Sequence, residues 1–135
     1  MTASRPASQD PPKVPTVTGG SRLETGLAGQ GTLRWVAADL RLALEEARRR
    51  LDLSPIAAVA LGRSLTAATL IQRISLKEPA RIVLEVIGDG PLGKIIAEAG
   101  HQGDLRGLVG APQLATPPDG RLKIAPLVGA GILRV

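Results

Sequence analysis

Apolar residues recur along this chain with two different periods, and the change of period marks its elements. From Thr32 to Ala37 the run Thr-Leu-Arg-Trp-Val-Ala carries β-branched and aromatic residues and reads as a strand. Asp39 stands next, where a carboxylate can cap a helix. Leu40, Leu44, Ala47 and Leu51 then recur at helical spacing, one face of a helix over 40–51 that Asp52-Leu53 ends. Ser54-Pro55 starts a second helix. The serine hydroxyl can accept an orphan amide of the first turn, and proline at the first helical position loses no hydrogen bond. This helix is predicted to run to Lys77. Ile56, Val59, Ala60, Leu65, Ala68, Leu70, Ile71 and Ile74 spread round most of it, leaving a narrow polar stripe of Arg63, Thr66, Arg73 and Lys77. Such a helix is predicted to be largely buried. Gly62 in its interior costs about 1 kcal/mol against alanine, a cost that close packing on another backbone would explain.

Beyond the second helix the period falls to two. In the strand Arg81 to Ile87, residues Ile82, Leu84 and Val86 point to one face, predicted to meet the core. Arg81, Val83, Glu85 and Ile87 point to the other. Gly88-Asp89-Gly90-Pro91-Leu92-Gly93 reads as a turn. Lys94 to Ala99 and Leu105 to Val109 are strands joined by a hairpin loop at 100–104. Arg121 to Ala125 and Ile132 to Val135 read as short strands around Gly129-Ala130-Gly131. The order strand, two helices, then antiparallel strands defines an α+β domain over residues 31–135. Residues 1–30, with Pro6, Pro11, Pro12 and Pro15 followed by Gly19, Gly20, Gly26 and Gly29, hold few apolar residues and read as a disordered tail.

Composition narrows the chemistry. The 135 residues contain no cysteine, which excludes a disulfide scaffold, a thiolate zinc site and a thiol nucleophile within them. One histidine excludes a multi-histidine metal site, so no metal and no cofactor is expected on this chain. The net charge of +5 raises a basic nucleic-acid-binding module as the alternative function. However, the only basic run, Arg48-Arg49-Arg50, follows Glu45-Glu46, and Glu45 with Arg49 and Glu46 with Arg50 are spaced as helical ion pairs. Trp35 is the only aromatic residue and cannot by itself form a stacking platform for single strands. The first twenty residues lack an apolar signal segment. The longest apolar stretch, Ile56 to Ile74, is interrupted by Arg63, Ser64, Gln72 and Arg73, so no membrane span is predicted. The expected location is the cytoplasm.

Candidate catalytic groups are sparse, and no enzymatic activity is expected. Gly88 to Gly93 fits G-x-G-x-x-G, but a dinucleotide site needs a helix after the motif, and Lys94-Ile95-Ile96-Ala97 reads as strand. His101 lies near Asp104 and Glu98 with no evident nucleophile beside it. Asp89, Glu85 and Glu98 could meet across a hairpin as paired carboxylates, although solvated strand edges explain them more simply.

Four stretches in order resemble one family. They are Glu45-Glu46-Ala47-Arg48-Arg49-Arg50 leading into Leu53-Ser54-Pro55, Ala60 to Ala68 (ALGRSLTAA), Gly88 to Gly93, and Arg106-Gly107-Leu108-Val109 with Pro112 nearby. Together with Leu122-Lys123-Ile124 and Leu127-Val128-Gly129 they resemble the N-terminal region of the Hsp33 family, the redox-regulated bacterial chaperones, over roughly residues 32–135. The resemblance implies an ATP-independent holdase that binds unfolding proteins and prevents their aggregation. It implies a C-terminal domain in which four cysteines hold zinc when reduced and switch the protein on when oxidised. These 135 residues hold none of that switch, and the resemblance implies a partial domain. Leu108 and Leu51 depart from the family, which tends to have an aromatic residue and a histidine there.

A holdase needs accessible apolar surface rather than a catalytic constellation. Val83, Ile87 and Ile96, on the face of the hairpin away from the predicted core, are the candidate client-binding or interface residues. The competing reading of the same residues is contact with the rest of the domain or with a second copy in a homodimer.

Overall fold

The computed structural model describes residues 21–75 and 79–135. Strands β1 (Arg22–Ala28) and β2 (Leu33–Asp39) form a two-stranded antiparallel ribbon, with Arg22 opposite Asp39 and Ala28 opposite Leu33. The tail expected over 1–30 is therefore corrected: residues 22–28 are strand. Their own apolar content is slight, and the order comes from pairing. The Trp35 ring lies over Gly26 across the ribbon, so close that a Cβ there would sit 2.5 Å from the indole. An aromatic ring covering a cross-strand glycine supplies the contact the glycine lacks. Residues 1–20, the remainder of that segment, lie outside the described residues.

Helix α1 (Arg41–Leu51) starts one residue later than its periodicity suggests, with Leu40 at the cap position. Asp39 still serves it, its carboxylate accepting the Arg41 amide at 3.0 Å. The helix ends as predicted. Asp52 takes the left-handed conformation (φ 49°), and the Leu53 amide donates to the Arg48 carbonyl at 3.0 Å.

Helix α2 (Pro55–Ser75) is the centre of the core, and the predicted end at Lys77 lies outside the described residues. Ser54 accepts the Ala57 amide over a long 3.4 Å, and its own amide is anchored on the Pro112 carbonyl at 2.8 Å. Ile56, Ala57, Ala60, Leu61, Leu65 and Ala68 are buried. Burial extends to polar positions because each is satisfied locally. The Ser64 and Thr69 hydroxyls donate to the Ala60 and Leu65 carbonyls, and the Gln72 amide donates to the Ala80 carbonyl. Gly62 meets α1 through a side chain and not through the backbone expected: a Cβ there would lie 3.1 Å from Leu44 Cδ1. Ile74, expected in the apolar envelope, is exposed.

Strands β3 (Ile82–Gly88), β4 (Ile95–Ala99), β5 (Leu105–Val109) and β6 (Gly131–Arg134) form an antiparallel sheet in the order β5-β4-β3-β6. Both predicted hairpins are present, in the register Val86 opposite Ile95 and Ala99 opposite Leu105. Ile82, Leu84 and Val86 face the core with Ile95, Ala97 and Val109. The strand expected at 121–125 is not formed. Residues 121–124 have no regular structure, and a single helical turn, α3 (Ala125–Val128), follows them. Pro126 cannot donate to a ladder but fits a first helical turn, and the Ile124 carbonyl accepts the Leu127 and Val128 amides at 2.9 and 3.0 Å. The α+β architecture expected from the sequence holds.

Candidate functional site

The sheet has two unlike faces. Helix α2 covers the inner one, and the strand register assigns the outer one. Glu85 lies opposite Ile96 and Arg134, Ile96 opposite Leu108, and Ile87 opposite Ile132. Val83, Ile87 and Ile96 thus share this outer face, where alternation along the strands adds Leu108 and Ile132. Val83, Leu108 and Ile132 are 39%, 45% and 53% exposed, while Ile87 and Ile96 are half-buried. The result is an aliphatic band without aromatic rings running diagonally across all four strands.

Sequence reasoning did not place Leu108 and Ile132 on this face. The alternation Leu105, Gly107, Val109 against Arg106, Leu108 carried the signal for the first. For Ile132 no local signal exists, because its position depends on β6 pairing with β3 across more than forty residues.

Charged groups on the same face, Arg106 excepted, are paired. Glu85 is held by Lys94 at 2.8 Å with Arg134 at 3.7 Å, and Arg81 bridges Glu98 at 3.1 Å and Asp104 at 2.7 Å. The three carboxylates considered as a catalytic set go separate ways, since the Asp89 carboxylate accepts the Ala130 amide at 2.8 Å. The hydrogen bond from Lys94 holds Glu85 below the ordinary carboxylate range, the reverse of what a general acid needs. His101 is exposed and has no side-chain hydrogen-bond partner among the described residues, and Asp104 is already engaged by Arg81.

The glycine motif is a turn, and its amides are occupied. Asp89, Gly90 and Leu92 donate to the Ala130, Val128 and Leu127 carbonyls, and Gly93 donates to Gly90. No nest of free donors remains for a phosphate.

The arginines of α1 are likewise engaged, with one change from the expected pairing. Arg48 bonds Glu45, and Arg49 and Arg50 both bond Glu46. These pairs place the run on a solvated helix face. A second apolar hollow lies between α1 and α2, lined by Leu42, Leu44, Val59 and Leu70. No group of three His, Asp or Glu residues that could hold a metal occurs among the described residues, and none of their helices is long and apolar enough to cross a membrane.

The ion pairs predict a pH response. Hydrogen bonds from Arg41, Arg48, Arg49 and Lys94 hold Asp39, Glu45, Glu46 and Glu85 respectively below their ordinary values. A carboxylate depressed in the folded state stabilises it above the unfolded pKa, and that contribution is lost as pH falls through the folded pKa. The urea midpoint is therefore expected to drop on acidification below the ordinary carboxylate range. Because these pairs are exposed, about 1 M salt should flatten the drop. Urea titrations across that range at low and high salt check both statements.

These features define a class: an α+β domain that presents an aliphatic sheet face. The family model described as Hsp33 protein matches residues 21–135, and the chain belongs to the Hsp33 family. The match takes in β1, ahead of the resemblance that began at residue 32. Among relatives, the 33 kDa chaperonins of two Thermus thermophilus strains are each 50% identical over 117 residues, 84% of this chain and 34% of theirs. The 33 kDa chaperonin of Desulforamulus reducens is 39% identical over 115 residues, 84% of this chain and 39% of its own. The crystal structure of the 33 kDa chaperonin (heat shock protein 33 homolog) of Thermotoga maritima superposes with a TM-score of 0.75 at 32% identity, over 82% of this chain and 39% of that one. The chain spans roughly a third of the length of the curated relatives it matches.

Proposed function

We propose that this chain is the client-binding part of an ATP-independent holdase: it takes up unfolding polypeptides on the outer face of the β3–β6 sheet and keeps them from aggregating in the cytoplasm. The observation that carries the reading is the solvent-facing aliphatic band of Val83, Ile87, Ile96, Leu108 and Ile132 on a chain of the Hsp33 family. Apolar side chains gathered on one sheet face, three of them exposed, mark a place for a macromolecular partner. Its chemistry suits extended, aliphatic segments of a client, since a ring-free face offers no shaped aromatic pocket. Glu85, paired with Lys94 and Arg134, stands between Val83 and Ile87 and keeps the face hydrated within the band itself. The zinc and cysteine switch of the family does not fit these residues, which include no cysteine and a single histidine, so no redox step is assigned to them.

Light scattering of a heat-unfolding client, with this chain in several-fold molar excess and no nucleotide, tests the proposal. Suppression of scattering is the expected result, and scattering identical to client alone would overturn it. A homodimer that buried the same face would withdraw it from clients, so the molecular mass in solution is measured beside it. A dimer that persists at working concentration and leaves scattering unsuppressed would favour the interface reading.

A further inference from the structure

The Gly88–Gly93 turn does more than reverse the chain between β3 and β4. It is laced to the segment that precedes β6. The Asp89, Gly90 and Leu92 amides donate to the Ala130, Val128 and Leu127 carbonyls at 3.0, 2.9 and 3.0 Å, and the Ala130 amide returns a bond to the Asp89 carboxylate at 2.8 Å. Glycine stands where the two loops touch. A Cβ on Gly88 would lie 2.0 Å from the Val128 carbonyl oxygen, and one on Gly90 would lie 2.2 Å from that of Leu127. Gly129 has φ 72°, and a Cβ there would lie 2.1 Å from the Asp89 carboxylate. No side chain fits at Gly88, Gly90 or Gly129 unless the two loops part.

Strand β6 needs such a fixture. It has four residues, all exposed, and none belongs to the core. A strand this short buries too little to set its own register. Yet its register matters, because a slip by one residue would turn Ile132 off the outer face and away from Ile87.

We infer that Asp89 is a positioning residue for the outer face: by holding Ala130 it locks β6 in register on β3 and keeps Ile132 beside Ile87. The functional consequence rests on the client-binding reading above, whereas the lock itself does not.

Amide hydrogen exchange on the whole chain, run beside the light-scattering assay, separates the two. In Asp89→Ala the Ile87 and Ile132 amides should exchange about tenfold faster, the scale of one lost local hydrogen bond. Leu84 and Ala97 should keep the parent rate, and aggregation suppression should fall by about twofold or more, since one of five aliphatic positions leaves the band. Asp89→Asn retains an acceptor oxygen and should remain close to the parent in both assays. Parent-like exchange at Ile87 and Ile132 in Asp89→Ala would overturn the inference, as would an Asp89→Asn variant as loose as Asp89→Ala. If Asp89→Ala loses protection at Leu84 and Ala97 as well, Gly129→Ala decides. Loss confined to Ile87 and Ile132 in that variant supports the lock, and parent-like exchange there overturns it. A parent chain that fails to suppress aggregation removes the client reading, while the exchange pattern still decides the lock.

Discussion

The triple variant Val83→Thr, Ile87→Thr, Ile96→Thr is expected to lose about tenfold or more of its affinity for unfolding clients while folding as the parent does. Threonine keeps the β-branched shape that suits a strand, so the sheet retains its propensity. What it removes is apolar area that a client would cover. These positions are exposed or half-buried, so each replacement forfeits only part of a side chain's transfer energy, about 0.5–1 kcal/mol. Three such losses on one contiguous face make about tenfold or more in binding. The stability cost of each change at these positions is about 0.5 kcal/mol or slightly above. Titration of the variant against a heat-unfolding client, with a urea melt beside it, measures both quantities. Unchanged suppression by a folded triple variant would remove the outer face from the function.

The second large effect is expected in the core. Leu61 is 1% exposed, and its Cδ1 fills the space in which a side chain on Gly107 would have to stand, 2.7 Å from that Cβ. Leu61→Ala should cost about 2–5 kcal/mol, the transfer loss plus the unfilled cavity. Gly107→Ala alone should cost about 1–3 kcal/mol, because the new methyl meets both Leu61 and the Ile96 carbonyl oxygen at 3.0 Å. The double variant should cost less than the sum. The methyl added at position 107 enters part of the cavity that Leu61 vacates, and side chains in contact couple rather than add. Urea unfolding of the four proteins closes the cycle. Strict additivity would mean that α2 and β5 do not meet through this pair.

Elements set by local periodicity could be read directly. Leu40, Leu44, Ala47 and Leu51 marked α1, Ser54-Pro55 marked the start of α2, and the alternation of Ile82, Leu84 and Val86 marked the buried side of β3. Val83, Ile87 and Ile96 could be put on one face because two strands joined by a short turn leave few registers open. β1 was not legible. Its residues are apolar at only a few positions, and the stabilising partner, Trp35, belongs to another strand. The segment at 121–125 was misread because Leu122 and Ile124 alternate as a strand would, whereas residues 121–124 pair with no strand and Pro126 is accommodated in the helical turn that follows. The sense of the glycine motif was hidden too. Any tight turn tolerates glycines, and only the 127–131 segment lying against Gly88 and Gly90 shows why side chains are excluded.

By itself the sequence determined the α+β order, the two helices, the hairpins, the absence of thiol chemistry from these residues, and the family. The elements follow from local periods and turn chemistry and the missing thiol from composition, which act over a few residues or over none at all, whereas the family rests on the resemblance carried by motifs in order along the chain. Only the tertiary structure decided that β6 returns to β3, that Leu108 and Ile132 complete an aliphatic face, and that Asp89 reaches Ala130. Contacts between residues forty positions apart leave no period along the chain. They are fixed by which backbones can approach, and here glycine at the points of contact lets them.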